Sequence, residues 1–588
     1  MPGTSFCKMT TTATMTTTGA VSAPPEPHSF PLGESLPPGD IHAVSVSLPT
    51  WDNIVRYMAA DKNIHDNLQS DYPRFYQHAS VQKLNDAVLH RVGAPETYRC
   101  AIFPSNDGMR RCSQYLRQKA RPDGSEKLPI QEVSFRLAQS SSVTRENDSW
   151  ARFSAVLYPE QFTESAAEVW GWMGDGISSR HADFCFERFR FMESAPLSVN
   201  DDSSSLSFSL QTHATCDEVD TVLSTAPWVH SDTDTKDKIK GLIAKWVTSQ
   251  QPGQGAVRPH EDVFLYPKGM CAIGDIARKL VPTTSPHSSE VVIFGWPYGS
   301  TPKNVQASGY ERFTFYSQGT SEELDQLESS LQAGHRIASF FCEIPSNPLC
   351  ATPDLCRIRR LADKYHFAVI CDDTIGTFIN VDVLPYADVI ITSLTKLFSG
   401  GCNVMGGSVV LNASSPFYSM LHSALTRTHE DLMFPLDAQV LLHNCVDFPD
   451  RVQKANRNAL AVVNLLQSQP SSLISRVNYP TTVPSASLYE QYRRSPDGGY
   501  GSLISVVFLD PDVAVSFYNA VDLCKGPSFG ANFTLVLPYS QLAHAFELDW
   551  AESQGMPKHI VRISVGLEDE TILIKKLEQA LIKCRPSN

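Results

Sequence analysis

Between residues 262 and 411, short apolar runs alternate with longer segments in which apolar residues recur at helical spacing. After a first run at Asp262 to Pro267, the strand candidates are Glu290 to Trp296, Ile337 to Ile344, Phe367 to Cys371, Val389 to Ile391 and Ser408 to Leu411. Helical segments such as Glu322 to Ala333 separate them. Strands that alternate with helices of this length predict βαβ units and an α/β fold with a mainly parallel sheet.

Residues after this α/β segment show a different pattern. Residues 435–588 begin with long helical segments, continue with the strand-like runs Ile504 to Leu509 and Ile560 to Val565, and end in an amphipathic helix, Glu570 to Lys583. We predict a smaller C-terminal α+β domain that closes over a large domain at residues 259–434.

The chain before residue 259 is less regular. Residues 1–41 are rich in Thr, Ser and Pro, which predicts a disordered tail. Within residues 42–258, the stretch from Val55 to about Val92 predicts a helical arm with an embedded turn. Residues 98–196 mix strand-like runs at Arg99 to Pro104, Val133 to Ala138 and Phe153 to Tyr158 with a helix through Ala166 to Trp170, which predicts an inserted α+β unit. The pattern assigns this unit no chemistry.

Composition narrows the class of protein. The chain has 588 residues, 42% of them hydrophobic and 19% charged, and a net charge of −14, which argues against a nucleic-acid or anionic-membrane partner. The 14 cysteines form no C-x-x-C pair, so neither a disulfide framework nor a metal site is expected. No apolar stretch approaches the ~20 residues that span a bilayer, and no signal peptide is apparent. We expect a cytoplasmic protein that acts on small molecules.

Two strand ends carry candidate catalytic side chains. Lys396 follows the apolar run that begins at Val389, and Asp372 follows the run that ends at Cys371. In open α/β sheets, ligands bind outside the carboxyl ends of the strands. A lysine facing an aspartate there indicates pyridoxal phosphate (PLP), with the amine as Schiff-base partner and the carboxylate on the pyridinium nitrogen.

Further strand ends supply the other groups that PLP needs. Gly269 and Met270 open a helix whose N–H groups suit a phosphate, and Ser393 and Thr395 add donors. Tyr298 could stack on the pyridine ring, and Asn347 could donate to the phenolic oxygen. Each of these residues alone is more often ordinary turn or surface chemistry. Together they indicate a cofactor site.

These residues resemble the Cys/Met-metabolism PLP enzymes of fold type I, over about residues 260–588 plus a short arm. The motifs that carry the resemblance are Lys268 to Cys271, Tyr298, Glu343 to Pro348, Cys371 to Thr374, Ser393 to Lys396 and Arg562 with Ser564 to Glu568. The resemblance implies a seven-stranded-type sheet with helices on both faces. It also implies that Lys396 and Tyr298 are catalytic and that Arg562 and Ser528 bind the substrate carboxylate.

The resemblance also concerns quaternary structure. Tyr72-Pro73-Arg74 looks like the family's Y-x-R motif, which reaches into the phosphate site of the neighbouring subunit, so a homodimer or homotetramer with shared active sites is implied. In this chain Arg74 and Gly269 are 195 positions apart, whereas family members carry only a short stretch there. Fungal cystathionine γ-synthases resemble this chain in having a long segment between these two motifs.

The implied reaction is γ-replacement on an O-acyl-L-homoserine, with O-acetyl as the favoured acyl group, by L-cysteine to give L-cystathionine. The segment Gly530 to Leu535 departs from the family's G-x-E-S-L and loses a glutamate, so a carbon nucleophile of fungal secondary metabolism is an alternative. Ser393 and Lys396 also satisfy the S-x-x-K pattern of serine acyl-transfer enzymes, although its companion motifs are absent downstream. A non-catalytic regulatory scaffold is a further alternative.

Overall fold

The computed structural model describes residues 27–120, 129–137, 149–196, 233–282 and 289–585. These residues form three sheets, of four, seven and five strands, each with helices packed against it. The part of the predicted disordered tail at residues 1–26 lies outside the described residues. The three sheets follow one another along the chain.

Residues 51–247 contain the first sheet. The helices are α1 (Trp51–Met58), α2 (Lys62–His65), α3 (Ala79–Arg91), α4 (Asn106–Ala120), α5 (Thr163–Met173), α6 (Ser179–Arg188) and α7 (Thr233–Val247), and the strands are β1 (Tyr98–Phe103), β2 (Gln131–Leu137), β3 (Arg152–Pro159) and β4 (Met192–Pro196). The strands pair antiparallel in the order β1-β3-β2-β4. We call α3 to β4 the amino-terminal unit. Its own apolar core and mixed elements agree with the predicted α+β unit, in which β4 was not foreseen.

The α/β segment forms the seven-stranded sheet. Its elements are β5 (Val263–Tyr266), α8 (Gly269–Leu280), β6 (Glu290–Phe294), α9 (Thr301–Gln306), β7 (Arg312–Tyr316), α10 (Ser321–Gln332), β8 (Ser339–Glu343), α11 (Leu355–Tyr365), β9 (Ala368–Asp372), α12 (Thr377–Asn380), β10 (Val389–Thr392), β11 (Gly407–Leu411) and α13 (Tyr418–Thr428). The strand order is β5-β11-β10-β9-β8-β6-β7. Strands β10, β9, β8, β6 and β7 run parallel, while β11 and β5 are antiparallel to their neighbours.

The central strands are buried along nearly their whole length, because helices cover both faces of the sheet. This explains why their sequences are continuous apolar runs, and the predicted α/β fold is confirmed. The predicted run at Val389 to Ile391 is strand β10, one residue longer. Strand β7 escaped prediction because it lies at an edge and is only partly buried, so its sequence lacks a continuous apolar run.

The last region forms the five-stranded sheet. Its elements are α14 (Pro435–Asn444), α15 (Phe448–Gln467), β12 (Ile474–Asn478), α16 (Ala486–Tyr492), β13 (Leu503–Phe508), α17 (Pro511–Ala520), β14 (Cys524–Lys525), β15 (Leu535–Pro538), α18 (Tyr539–Ala543), α19 (Leu548–Ser553), β16 (Val561–Ser564) and α20 (Glu570–Lys583). The strand order is β12-β13-β16-β15-β14. Strands β13 and β16 and helix α20 match the predicted elements.

The described part of the predicted tail is ordered. Residues 27–41 fall in the predicted disordered tail, yet Leu36 is fully buried, and Ser35 pairs with Val46 in an antiparallel bridge. Leu36 packs in a small cluster with Cys402 and Phe533, next to the lysine-bearing loop. One apolar anchor therefore fixes a stretch that composition alone assigned to disorder.

Candidate active site

The proposed site residues meet in one pocket at the carboxyl ends of the parallel strands. Asp372 is the last residue of β9, and Lys396 lies four residues beyond the end of β10. The lining of this pocket includes Tyr72, Arg74, Gly269, Met270, Tyr298, Asn347, Asp372, Ser393, Thr395 and Lys396. Arg562 and Ser528 adjoin it through Asn347 and Lys396.

Lys396 is buried and held by two hydroxyl groups. Its Nζ atom donates to Tyr72 Oη at 3.1 Å and to Ser528 Oγ at 3.2 Å. The amine also lies over the rings of Tyr72 and Phe529, at 4.4 and 4.6 Å from their centroids. Burial lowers the pKa of Lys396 to about 7, so near neutral pH a large share of the amine is unprotonated and nucleophilic.

Asp372 faces a second carboxyl group across the strand pair. Thr374 N donates to Asp372 Oδ1 at 2.9 Å, and Glu343 on β8 is in register with Asp372. Burial raises the pKa of Asp372 to about 6. Burial raises the pKa of Glu343 well above its ordinary value, and the nearby Asp372 carboxylate adds to this rise. A cation beside Asp372 would favour its ionised form, as a pyridinium nitrogen does.

Asn347 and Tyr298 lie on either side of these carboxyl groups. Asn347 Nδ2 is buried without a hydrogen-bond partner among the described residues, so this donor is available to a ligand oxygen. Tyr298 N donates to Glu343 Oε1 at 2.5 Å, and its hydroxyl accepts a hydrogen bond from Arg74 Nη2. Burial raises the pKa of Tyr298, while the Arg74 guanidinium opposes that rise.

The opposite end of the pocket is built for an anion. Helix α8 begins at Gly269, and its first N–H groups and dipole favour negative charge. A Cβ at Gly269 would lie 3.0 Å from Ser393 Cβ, so glycine lets the helix start and the Ser393 loop approach closely. Thr395 Oγ1 is already engaged with Gly406, donating to its carbonyl and accepting from its N–H.

Two buried cations adjoin this helix start. Arg74 is 2% exposed and Lys268 is 3% exposed. Both point their charged ends to backbone carbonyl groups: Arg74 Nη1 donates to Gly171 O at 2.7 Å, and Lys268 Nζ donates to Gly176 O at 2.5 Å. Burial lowers the pKa of Lys268, and the positive charge of Arg74 also lowers it. A phosphate dianion between them would offset the cost of burying two like charges.

A third buried cation, Arg562, lies beside Asn347 and Ser528, at the end of the pocket that we call the substrate end. Its Nη2 donates to Ser528 O at 2.9 Å, while its Nε has no partner among the described residues. Burial lowers the pKa of Arg562 to about 10, and the guanidinium remains charged at neutral pH. The resemblance implied that Arg562 and Ser528 both bind the substrate carboxylate. In the structure these two residues are in contact.

The comparisons with known proteins decide the family. Residues 255–582 match the model of the Cys/Met metabolism PLP-dependent enzymes, and residues 80–178 match the fungal trans-sulfuration enzyme N-terminal domain. The chain belongs to this family. It is 47% identical over 561 residues to the cystathionine gamma-synthase-like protein ankD of Aspergillus thermomutatus, covering 94% of each chain. It is 35% identical to the cystathionine gamma-synthase of Neurospora crassa, covering 94% of this chain and 98% of that one.

A solved structure agrees on the fold. The cystathionine gamma synthase of Xanthomonas oryzae pv. oryzae, in complex with cystathionine, superposes with a TM-score of 0.50 at 20% identity, covering 61% of this chain and 88% of that one. The part of this chain that the solved structure does not cover is similar in length to the segment before residue 255, where the PLP-enzyme match begins.

The donor set fits the cofactor of this family, PLP. The unpartnered Asn347 Nδ2 suits its phenolic oxygen, Asp372 suits its ring nitrogen, and the helix start with Arg74 and Lys268 suits its phosphate. Membership in this PLP-dependent family favours PLP chemistry at Lys396 over the S-x-x-K alternative.

Tyr72 and Arg74 line the pocket of the chain described here, and their implied role at the site of a neighbouring subunit stays a prediction. The segment Gly530 to Leu535, whose lost glutamate motivated the alternative acceptor, packs behind the lysine, with a Cβ at Gly530 only 2.9 Å from Lys396 Cβ. The neighbouring residue Phe529 lines the pocket instead, together with Ile375 and Met405.

Sequence reasoning also missed residues of the site. Lys268 appeared only as the first position of a motif, and its burial beside a phosphate site was not foreseen. The available signal in the sequence was a lysine directly before a glycine that opens a helix. No helix of the described residues is long and apolar enough to cross a membrane, and they contain no cluster of side chains that could hold a metal ion.

Proposed function

We propose that this enzyme performs γ-replacement on an O-acyl-L-homoserine, with L-cysteine as the nucleophile and L-cystathionine as the product. The observation that carries the proposal is the position of Ser528 between two functional groups. Its hydroxyl accepts from Lys396 Nζ, and its carbonyl accepts from Arg562 Nη2. A substrate carboxylate on Arg562 would therefore bring the Cα of an amino acid close to the lysine amine.

Bound PLP supplies an electron sink for charge that develops on the substrate. Asp372 would hold the ring nitrogen in its protonated form, and Asn347 Nδ2 would bind the phenolic oxygen. Arg562 would bind the α-carboxylate through its Nε–H, which has no partner among the described residues. Lys396 would remove the proton at Cα, remove a proton at Cβ as the acyloxy group leaves Cγ as a carboxylate, and return protons at Cβ and Cα after the nucleophile has added, since its low pKa lets the amine alternate between forms near neutral pH.

Tyr298 would assist these proton movements. Its hydroxyl accepts from Arg74, which keeps the phenol oriented toward the pocket, and burial keeps it protonated at neutral pH. The acyloxy group leaves Cγ as a carboxylate, and the second reactant must then reach the same carbon within the pocket, whose lining includes Met405 and Phe529.

A carbon nucleophile is the second candidate. The wall that faces the substrate end is apolar and consists of Phe529, Met405 and Ile375. Among the described residues lining the pocket, the cations Arg74 and Lys268 lie at the phosphate end, so a second amino-acid carboxylate has no cation of its own beside this wall. That feature favours an acceptor less polar than cysteine. The 47% identity to a protein named only as cystathionine gamma-synthase-like agrees with either acceptor.

One product analysis separates these candidates. The holoenzyme is incubated with O-acetyl-L-homoserine and either L-cysteine or a β-keto acid, and the products are identified by mass spectrometry. Formation of L-cystathionine with equimolar acetate supports the first proposal, while a new carbon–carbon bond with the β-keto acid supports the second. Release of acetate without any addition product in both mixtures contradicts γ-replacement.

A further inference from the structure

The side chain of Glu343 lies where neighbouring strands of the seven-stranded sheet end. Glu343 is the last residue of β8, which lies between β6 and β9. Tyr298, which follows β6, donates from its backbone N–H to Glu343 Oε1 at 2.5 Å. The backbone N–H of Asn347 faces the same carboxyl group. One side chain therefore connects the loop that bears the tyrosine assigned to ring stacking with the loop that bears the unpartnered Asn347 Nδ2.

Asp372 is the third neighbour of Glu343. The two residues are in register on the parallel strands β8 and β9, and both line the pocket. Residues opposite each other on neighbouring strands project from the same face of a sheet. Glu343 thus faces all three groups that are assigned to the ring of PLP, namely Tyr298, Asn347 and Asp372. All four residues belong to the large domain, and none lies on the arm at residues 72–74.

The surroundings of Glu343 hold no cation that could balance a second carboxylate. The small pocket behind Glu343 and Asp372 is mostly apolar and includes four isoleucines. Among the described residues, Glu343 forms no ion pair, and the titratable groups that face it are the acids Asp372, Cys342 and Tyr539. Two carboxyl groups that share such a site do not both ionise, because like charges at short range repel in a medium of low polarity. The pair therefore carries one negative charge.

We propose that Glu343 is a positioning residue of the cofactor site, which retains its proton beside Asp372 and fixes the loops that bear Tyr298 and Asn347. The single negative charge of the pair then matches the single positive charge of a pyridinium nitrogen. A protonated carboxyl group still offers Oε1 to the N–H of Tyr298, and its hydroxyl adds a donor. This role requires that PLP is the cofactor, and it is independent of the nucleophile.

Two substitutions of Glu343 separate its shape from its charge. Glu343→Gln keeps the length and the acceptor of the side chain but cannot ionise, so PLP affinity should stay within about twofold of wild type. Glu343→Leu leaves the N–H of Tyr298 without a partner and should weaken PLP affinity about tenfold. Glu290→Leu is the matched control, because Glu290 is also a buried carboxyl of this sheet but lies at the opposite end of the strands, paired with Arg312 and His335.

The readouts are the PLP dissociation constant of each apoprotein, the visible circular dichroism of the bound cofactor, and the melting temperature. Visible circular dichroism reports how the ring is held, so it should change in Glu343→Leu and stay as in wild type in Glu290→Leu, even if both variants lose thermal stability. Glu343→Asp withdraws the carboxyl group from the N–H of Tyr298 and should behave like Glu343→Leu, which provides the test if the leucine variant does not fold. Wild-type affinity and dichroism in both variants overturn the positioning role.

Infrared difference spectroscopy of the holoenzyme at neutral pH tests the proton on Glu343 directly. The wild-type spectrum minus that of Glu343→Gln should contain the carbonyl stretch of a protonated carboxylic acid. Other buried acids, such as Asp373, contribute to both spectra and cancel. The same difference for Glu290→Gln should contain the bands of an ionised carboxylate, because Glu290 is ion-paired. Carboxylate bands in the Glu343 difference, or a loss of PLP affinity in Glu343→Gln as large as that in Glu343→Leu, overturn the neutral form.

Discussion

The large domain and the amino-terminal unit contribute to one pocket in different ways. The large domain supplies side chains with chemical function at the ends of its strands, such as Asp372 and Lys396. The amino-terminal unit supplies mainly backbone carbonyl groups, at Gly171 and Gly176, that orient cations located elsewhere in the chain. Changes in the first region should therefore affect chemistry and substrate binding, and changes in the second should affect retention of the cofactor.

Lys396→Ala should have the largest effect. It removes the amine that bonds to the cofactor and carries protons, so turnover should fall by about four orders of magnitude or more, and the visible absorbance of the bound cofactor should disappear. Both quantities are measured on protein reconstituted with excess PLP. Lys525→Ala is a suitable control, since Lys525 is also buried but donates to Pro49 O and Asn519 O away from the pocket. Retention of both signals in Lys396→Ala would contradict the account.

Arg562→Met should separate substrate binding from cofactor binding. Loss of the charge-assisted contact to the α-carboxylate should raise KM for O-acetyl-L-homoserine about 100-fold, while the absorbance of the bound cofactor persists. Steady-state kinetics and a visible spectrum of the same sample provide the two readouts. A variant with unchanged KM, or one that loses the cofactor, would show that Arg562 does not have the assigned role.

The same comparison explains which parts of the fold and of the candidate site could be predicted from the sequence. Asp372 and Lys396 could be found because apolar strands with periodic spacing place a polar residue at each carboxyl end. The carbonyl groups of Gly171 and Gly176 could not, because a backbone carbonyl leaves no signature in residue type. Residues 27–41 were assigned to disorder because composition does not reveal that Leu36 fills an apolar cluster. The contact between Arg74 and Tyr298, which are 224 positions apart, depends on tertiary packing that no local pattern encodes.

The pH dependence of reconstitution tests the burial of Lys396. Because burial lowers its pKa to about 7, the neutral, nucleophilic amine predominates above that pH and is lost below it. The rate at which apoprotein forms its visible absorbance with PLP should rise with pH, level off above about 7, and be about tenfold slower one unit below. Stopped-flow absorbance measures this rate. A rate that continues to rise toward pH 10 would indicate an ordinary exposed lysine.

Phe529 should have the smallest effect and should act on the acceptor. Phe529→Leu keeps the wall apolar but removes the ring, which should change the ratio of kcat/KM for a β-keto acid to that for cysteine about fivefold, at the expense of the carbon nucleophile. Competition between the two acceptors, quantified by mass spectrometry, gives this ratio directly. Phe546→Leu, at a position that is 84% exposed, is the control. An unchanged ratio would exclude Phe529 from acceptor choice.

The most direct measurement of the central claim, that the buried Arg74 binds the phosphate of the cofactor, is the PLP dissociation constant of Arg74→Met. We expect it to rise about 100-fold, because a buried charge-assisted contact to the phosphate is lost, and we expect turnover to recover only in part when PLP is saturating, because the Tyr298 hydroxyl also loses its donor. Arg110→Met, which removes an exposed surface ion pair, should leave the constant unchanged. A wild-type dissociation constant in Arg74→Met would contradict the account.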